Sequence, residues 1–180
     1  MAQREALKDL QARLAERLQA ARTETGRAGW LAVEAAGAGF LFPLEQAGEI
    51  FPVGEIRALP HVRPWFCGVA NLRGGLHGVV DLGAFLGLRS RPPSDAAPGR
   101  EAARLLALNL SLRSLAALRV DQMAGLRHEA DLSPRPREPG LPSFAKGSWQ
   151  DAQGRTWQEI DLAELAASEA FLSIAASAAA

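Results

Sequence analysis

The sequence predicts a mainly β fold built from two related halves, and three observations carry that expectation. From Trp30 onward the chain is cut into short apolar runs of strand length, WLAVEA, GFLFPL, GVANLRG, LHGVVDL, LLALNL and LAALRV, divided by Gly, Pro, Asp or Asn. These runs are continuous rather than cleanly alternating, as in strands covered on both faces, which suits small closed barrels. The chain also resembles itself: LEQAGEI (44–50) lies on VDQMAGL (120–126) at an offset of 76, and VVDLGAFL (79–86) on EIDLAELA (159–166) at an offset of 80. Two matches in the same order at nearly equal spacing imply one structural plan used twice.

Taken in order, residues 4–22 read as an amphipathic helix. Leu7, Leu10, Leu14, Leu18 and Ala21 fall on one stripe, with Asp9 and Arg13 as an i,i+4 pair on the polar side. This stripe suits docking on the chain's own domain better than a coiled coil, which needs more heptads. TETGRAG ends the helix through Gly26 and Gly29. Residues 1–26 are therefore expected to be a helical extension, and 27–178 the β domain. In both repeats a strand end meets Asp-Leu and then a short helical pattern, so Asp81 and Asp161 are placed to cap short helices by accepting free backbone N–H groups. RSRPPSDAAPGR (89–100) and DLSPRPREPGLP (131–142) are rich in proline and charge and read as exposed, mobile loops.

Composition narrows the function. With 20 basic and 20 acidic residues the net charge is zero, and aromatics are 6% without a tyrosine, so neither a basic groove nor a stacking platform for nucleic acid is visible. The single cysteine, Cys67, cannot form an internal disulfide, and the charged start MAQREALKDLQARL lacks the apolar core of a signal peptide. The apolar-looking stretch 30–44 is too short to span a bilayer. The chain reads as soluble and cytoplasmic. His61, His77 and His128 share no ligand spacing with one another or with Cys67, and no G-x-S-x-G elbow or phosphate-binding glycine loop occurs, so no catalytic residue, metal site or cofactor is expected.

What remains is recognition of other proteins. Arg73 stands inside WFCGVANLRGGLHGVVDLGAFLGL with no acidic neighbour before Asp81. Gly74 and Gly75 allow a tight turn there, and an arginine at a turn beside Val69 and Leu72 combines apolar contact with five donors, as binding hot spots do. From the residues alone, a surface arginine satisfied by a backbone carbonyl is equally compatible.

GVANLRGGLHGVVDLGAFLGL strongly resembles the signature of the CheW family of chemotaxis coupling proteins, an N-[LV]-R-G turn leading into a strand that ends in V-D-L. FPLEQAGEIFPVGEIRALPHVRPWFCGV and LAALRVDQMAGLRHEADLSP are similar to its first- and second-half segments, so the likeness runs from about Gly29 to Ile174. Within the family the likeness is to the PilI type, of the system controlling type IV pili and twitching motility. The long N-terminal extension, the W-x-x-G-V-A-N approach and the ending SFAKGSWQDAQGRTWQEIDLAELAASEAFLSIA carry it.

The resemblance implies two intertwined five-stranded SH3-like barrels with short helices after V-D-L and I-D-L. It implies an adaptor without catalysis or cofactor, joining a CheA-type histidine kinase, through that kinase's own CheW-like regulatory domain, to the cytoplasmic tip of a methyl-accepting chemotaxis receptor. Neither nucleic acid nor membrane insertion is part of it. Carried over by position, Asn71, Leu72, Arg73 and Gly74 form the partner-facing motif, Glu49 is the acid near it and a contact of Arg73, and Ile50 and Val69 are the apolar positions beside it. A flagellar coupling role and, from another class, a small-molecule sensor barrel are the alternatives. Gly75, His77 and Gly78 depart from the common pattern, and Gly78 should loosen the strand's entry.

Overall fold

The computed structural model describes residues 29–94 and 100–176; the helix expected over 4–22 lies outside them. Eleven strands are described: β1 (Trp30–Ala35), β2 (Ala38–Pro43), β3 (Ala47–Pro52), β4 (Phe66–Leu72), β5 (Gly75–Asp81), β6 (Arg104–Leu108), β7 (Ala116–Val120), β8 (Gln122–Arg127), β9 (Leu132–Arg135), β10 (Ala145–Asp151) and β11 (Thr156–Ile160). Short helices α1 (Leu82–Phe85), α2 (Leu162–Ala167) and α3 (Glu169–Leu172) complete them. The strands form two sheets, ordered β8-β1-β2-β11-β10-β9 and β3-β6-β7-β5-β4.

The internal repeat explains both orders. Pairing β1 with β6, β2 with β7, β3 with β8, β4 with β10 and β5 with β11 converts the first sheet into the second, strand by strand, including the parallel contacts β2·β11 and β7·β5. The hairpin that opens each half has moved into the sheet of the other half, which is what makes the halves intertwined. LEQAGEI and VDQMAGL span the two points where the chain passes between sheets, from β2 to β3 and from β7 to β8. Each crossing carries a polar side chain that reaches the opposite half: Gln46 Oε1 accepts the Leu162 N–H at 2.7 Å, and Asp121 Oδ2 accepts the Ala36 N–H at 2.7 Å.

The expected five-and-five division is corrected to six and five, and the repeat supplies the reason. After β3 the chain runs on to Arg57, which exchanges both backbone hydrogen bonds with Val69 of β4 at 2.8 and 2.9 Å. After β8 the chain runs on likewise into β9, which pairs with β10 through Arg135↔Ser148. Each ladder is thus closed by the continuation of its own edge strand, as one bridge in one half and a full strand in the other. Gly68 marks the tighter closure: its φ is +132°, and a Cβ there would lie 2.2 Å from the Arg57 carbonyl oxygen. The expected loop 131–142 therefore contains strand β9, whose Pro134 is tolerated because β9 is an edge strand.

Three apolar clusters follow from this layout. The largest is shared, joining Leu31, Val33 and Phe42 to Val80, Leu106, Leu118, Ile160 and Leu165. Each sheet adds a smaller cluster of its own, Trp30, Leu41 and Trp157 in the first, and Ala70, Leu72, Val79 and Leu105 in the second. Strands buried on both faces read as continuous apolar runs, which is why β1, β2, β5, β6 and β7 are legible in the sequence.

Asp81 and Asp161 both cap helices as expected, accepting the Ala84 N–H at 2.8 Å and the Glu164 N–H at 3.0 Å. Asp81 does more. It is fully buried and takes Arg89 Nε at 2.8 Å and Nη2 at 2.7 Å, while Arg89 also reaches Asp121 through Nη1 at 2.8 Å and Nη2 at 2.9 Å. Arg89, expected in an exposed loop, is instead a fork between two carboxylates that ties α1 to the second sheet crossing. Burial alone would push Asp121 up; the hydrogen bonds from Arg89 and from the Ala36 N–H outweigh it and hold the carboxyl below its ordinary value.

Candidate functional site

β4 and β5 pair in antiparallel register with Leu72 opposite Gly75, leaving Arg73 and Gly74 as a two-residue connection. Their φ values are +49° and +81°, the pattern of a type I′ hairpin turn whose twist matches the flanking strands. Gly74 adopts it freely, whereas Arg73 does so at a cost of roughly 1–2 kcal/mol for an L-residue. Asn71 helps hold the turn, its Oδ1 accepting the Gly74 N–H at 2.8 Å. The strained position projects the guanidinium into solvent, with 76% of the Arg73 side chain accessible.

The anion absent from the surrounding sequence comes from the opposite edge of the sheet. Glu49 Oε1 on β3 meets Arg73 Nη2 at 2.7 Å, the contact that the family resemblance implies. β3 and β4 are the two edges that the Arg57–Val69 bridge brings together, so the ion pair sits over the closure of the ring. Both partners are exposed, so the pair adds under about 1 kcal/mol to folding, and its effect is to orient the guanidinium.

The other expected site residues divide. Ile50 is exposed beside Glu49, and Asn71 and Gly74 are exposed in the hairpin. Leu72 is corrected: it is 8% exposed and packs with Val79 and Leu105, supporting the turn from behind rather than facing a partner. Val69 is half-buried, its side chain against the shared core and its backbone committed to Arg57.

Three exposed leucines near the hairpin escape a reading of the sequence: Leu76 at 63%, Leu115 at 59% and Leu110 at 75%. Leu76 lies opposite Asn71, and Leu115 is fixed to β5 by the Gly78 N–H to its carbonyl at 2.9 Å. Leu110 follows Asn109, whose N–H donates to the Gln46 carbonyl at the start of β3. On β5 the register turns Leu76 outward and the His77 ring inward, where it lies 3.0 Å from the Gly75 carbonyl through Nδ1. Hydropathy predicts the reverse. Single exposed leucines are ordinary, but Ile50 next to Glu49 and Leu76 opposite Asn71 set exposed aliphatics beside an oriented cation.

Among the described residues no group of three His, Cys, Asp or Glu side chains converges to hold a metal ion, and no helix is long and apolar enough to cross a membrane. Cys67 is half-buried; burial, reinforced by the Asp81 charge, pushes its thiol up to about 11. Iodoacetamide at neutral pH is therefore expected to label the folded protein far more slowly than the urea-unfolded chain. Mass spectrometry checks this, and equal labelling rates would refute it.

Comparison with known proteins bears on the fold. The family model described as CheW-like domain matches residues 29–170. Protein PilI of Pseudomonas aeruginosa is 31% identical over 141 residues, covering 76% of this chain and 74% of that protein. The crystal structure of scaffolding protein TtCheW from Thermoanaerobacter tengcongensis superposes with a TM-score of 0.60 at 19% identity, covering 75% of this chain and 89% of that one.

Proposed function

The chain belongs to the CheW-like domain family, and from that premise we propose that it couples methyl-accepting chemoreceptors to a CheA-type histidine kinase in a cytoplasmic signalling array. The Arg73 surface is the part we assign to partner contact. One observation carries the assignment: Arg73 occupies a backbone conformation that disfavours it, in a position that contributes little to folding, and is held by Glu49 among exposed aliphatics. Strain kept without a folding return points to a role in binding. The 31% identity to PilI supports placing the adaptor in a pilus-controlling system, as the sequence resemblance implies.

The test uses two substitutions. Arg73→Ala should leave the thermal melt nearly unchanged, because the lost ion pair is exposed and the turn strain persists. Arg73→Gly should raise stability by about 1 kcal/mol by relieving the positive φ. Both should weaken binding to the kinase regulatory domain or the receptor tip roughly tenfold or more, measured by titration calorimetry. Full binding by Arg73→Gly would remove Arg73 from the interface.

A further inference from the structure

We propose that the N-terminal segment of this chain, residues 4–22, docks through its leucine stripe into an apolar groove beside α1. The groove encloses about 1020 Å³ and is lined chiefly by Phe40, Trp65, Phe85, Phe144, Leu141 and Ile160. Its floor is an aromatic cluster: Trp65 meets Phe85 edge-on at 5.1 Å between ring centroids, and Phe85 lies 6.1 Å from Phe144. None of its lining residues belongs to the Arg73 surface, so the groove is distinct from the proposed partner site.

Trp65, Phe85 and Leu141 are half-buried and Leu88 is exposed along it, so the groove suits an occupant with one apolar face. The spacing of Leu7, Leu10, Leu14 and Leu18 predicts such a face, about 17 Å long at the helical rise of 1.5 Å per residue. The segment also ends in the right place. Gly29, where the described chain begins, is held at the end of β2 by the Leu44 N–H donating to its carbonyl at 3.0 Å. The groove wall starts at Phe40 on the same strand, about 10 Å from Pro43 at the rise of a β-strand. Residues 23–28 between stripe and Gly29 extend to roughly 20 Å, enough to cover that distance. Tethering presents the stripe at about millimolar effective concentration, an advantage that no free helix of equal affinity has. Leu88 lines the groove and is followed directly by Arg89, so occupancy bears on the ion-pair joint between the sheets.

The experiment keeps the full chain. A photo-cross-linking side chain in place of Leu14 should give a product within one molecule, independent of dilution, mapping to peptides containing 85–88 or 141–145. Products between two chains that grow with concentration would make a second copy the occupant and overturn docking within one chain, and a product elsewhere, or none, would refute it outright. In parallel, Leu10→Asp/Leu14→Asp should raise fluorescence of the apolar-site dye ANS several-fold, while Glu5→Gln/Glu16→Gln on the polar side should not. Strong dye binding by the unaltered chain would show an open groove and overturn the proposal.

Discussion

Asp81→Ala is expected to lower the melting temperature by roughly 6–12 °C, and Asp161→Ala by only roughly 2–4 °C. The two residues occupy equivalent places in the repeat, each ending a strand and capping the following helix. What separates them is a cation. Asp161→Ala removes a cap, worth about 1 kcal/mol, from a half-buried position. Asp81→Ala removes the same cap and also takes one of two carboxylates from Arg89, whose side chain is 18% exposed. Breaking a buried pair costs roughly 3–5 kcal/mol because the remaining charge is left without its partner. Asp121 still holds Arg89, which sets the expectation at the lower end, near about 3 kcal/mol, or roughly 2–4 °C for each kcal/mol in a chain of this size. Asp81→Asn, which keeps the cap acceptor and loses the charge, should fall between the two. Equal losses for Asp81→Ala and Asp161→Ala would mean that the Arg89 fork adds nothing to the joint.

Much of this architecture is legible in the sequence, for identifiable reasons. Strands buried on both faces announce themselves as continuous apolar runs, so WLAVEA and LAALRV can be read as strands directly. The edge strands cannot: β8 is QMAGLR and β9 is LSPR, half-exposed sequences whose strand state is imposed by the neighbouring ladder. The repeat reveals two halves, but the hairpin exchange between them depends on which strands pair, and pairing over more than a hundred residues leaves no local pattern. The Arg73–Glu49 contact comes from family likeness; its strained turn, the burial of Leu72 and the outward Leu76 come from register. Arg89 reads as a loop residue because RSRPPSD is proline-rich and polar, and no local pattern shows that Asp81, eight residues before it, and Asp121, thirty-two after, converge on it.

The first sheet supplies a test of packing with a sign that is hard to obtain by accident. Trp157 is 1% exposed, donates its indole N–H to Asp151 Oδ2 at 2.9 Å, and lies under the guanidinium groups of Arg155 and Arg127, 4.7 and 5.3 Å from the ring centroid. Directly opposite it in the β11·β2 register is Gly39, where an added Cβ would sit 2.7 Å from Trp157 Cε3. The glycine is there for space: the ring fills the volume a side chain would need. Trp157→Ala should therefore cost roughly 3–5 kcal/mol through lost burial and the cavity left behind. Gly39→Ala alone should cost roughly 1–3 kcal/mol, since neither the buried ring nor the strand can retreat without strain. Combined, the costs should not add: with the ring gone, the methyl introduced by Gly39→Ala enters empty volume, and the double variant should be at least as stable as Trp157→Ala alone. Urea denaturation of the four proteins gives the coupling directly. Simple additivity would show that Gly39 is not reserved for the Trp157 ring, and that the core of the first sheet is looser than its contacts imply.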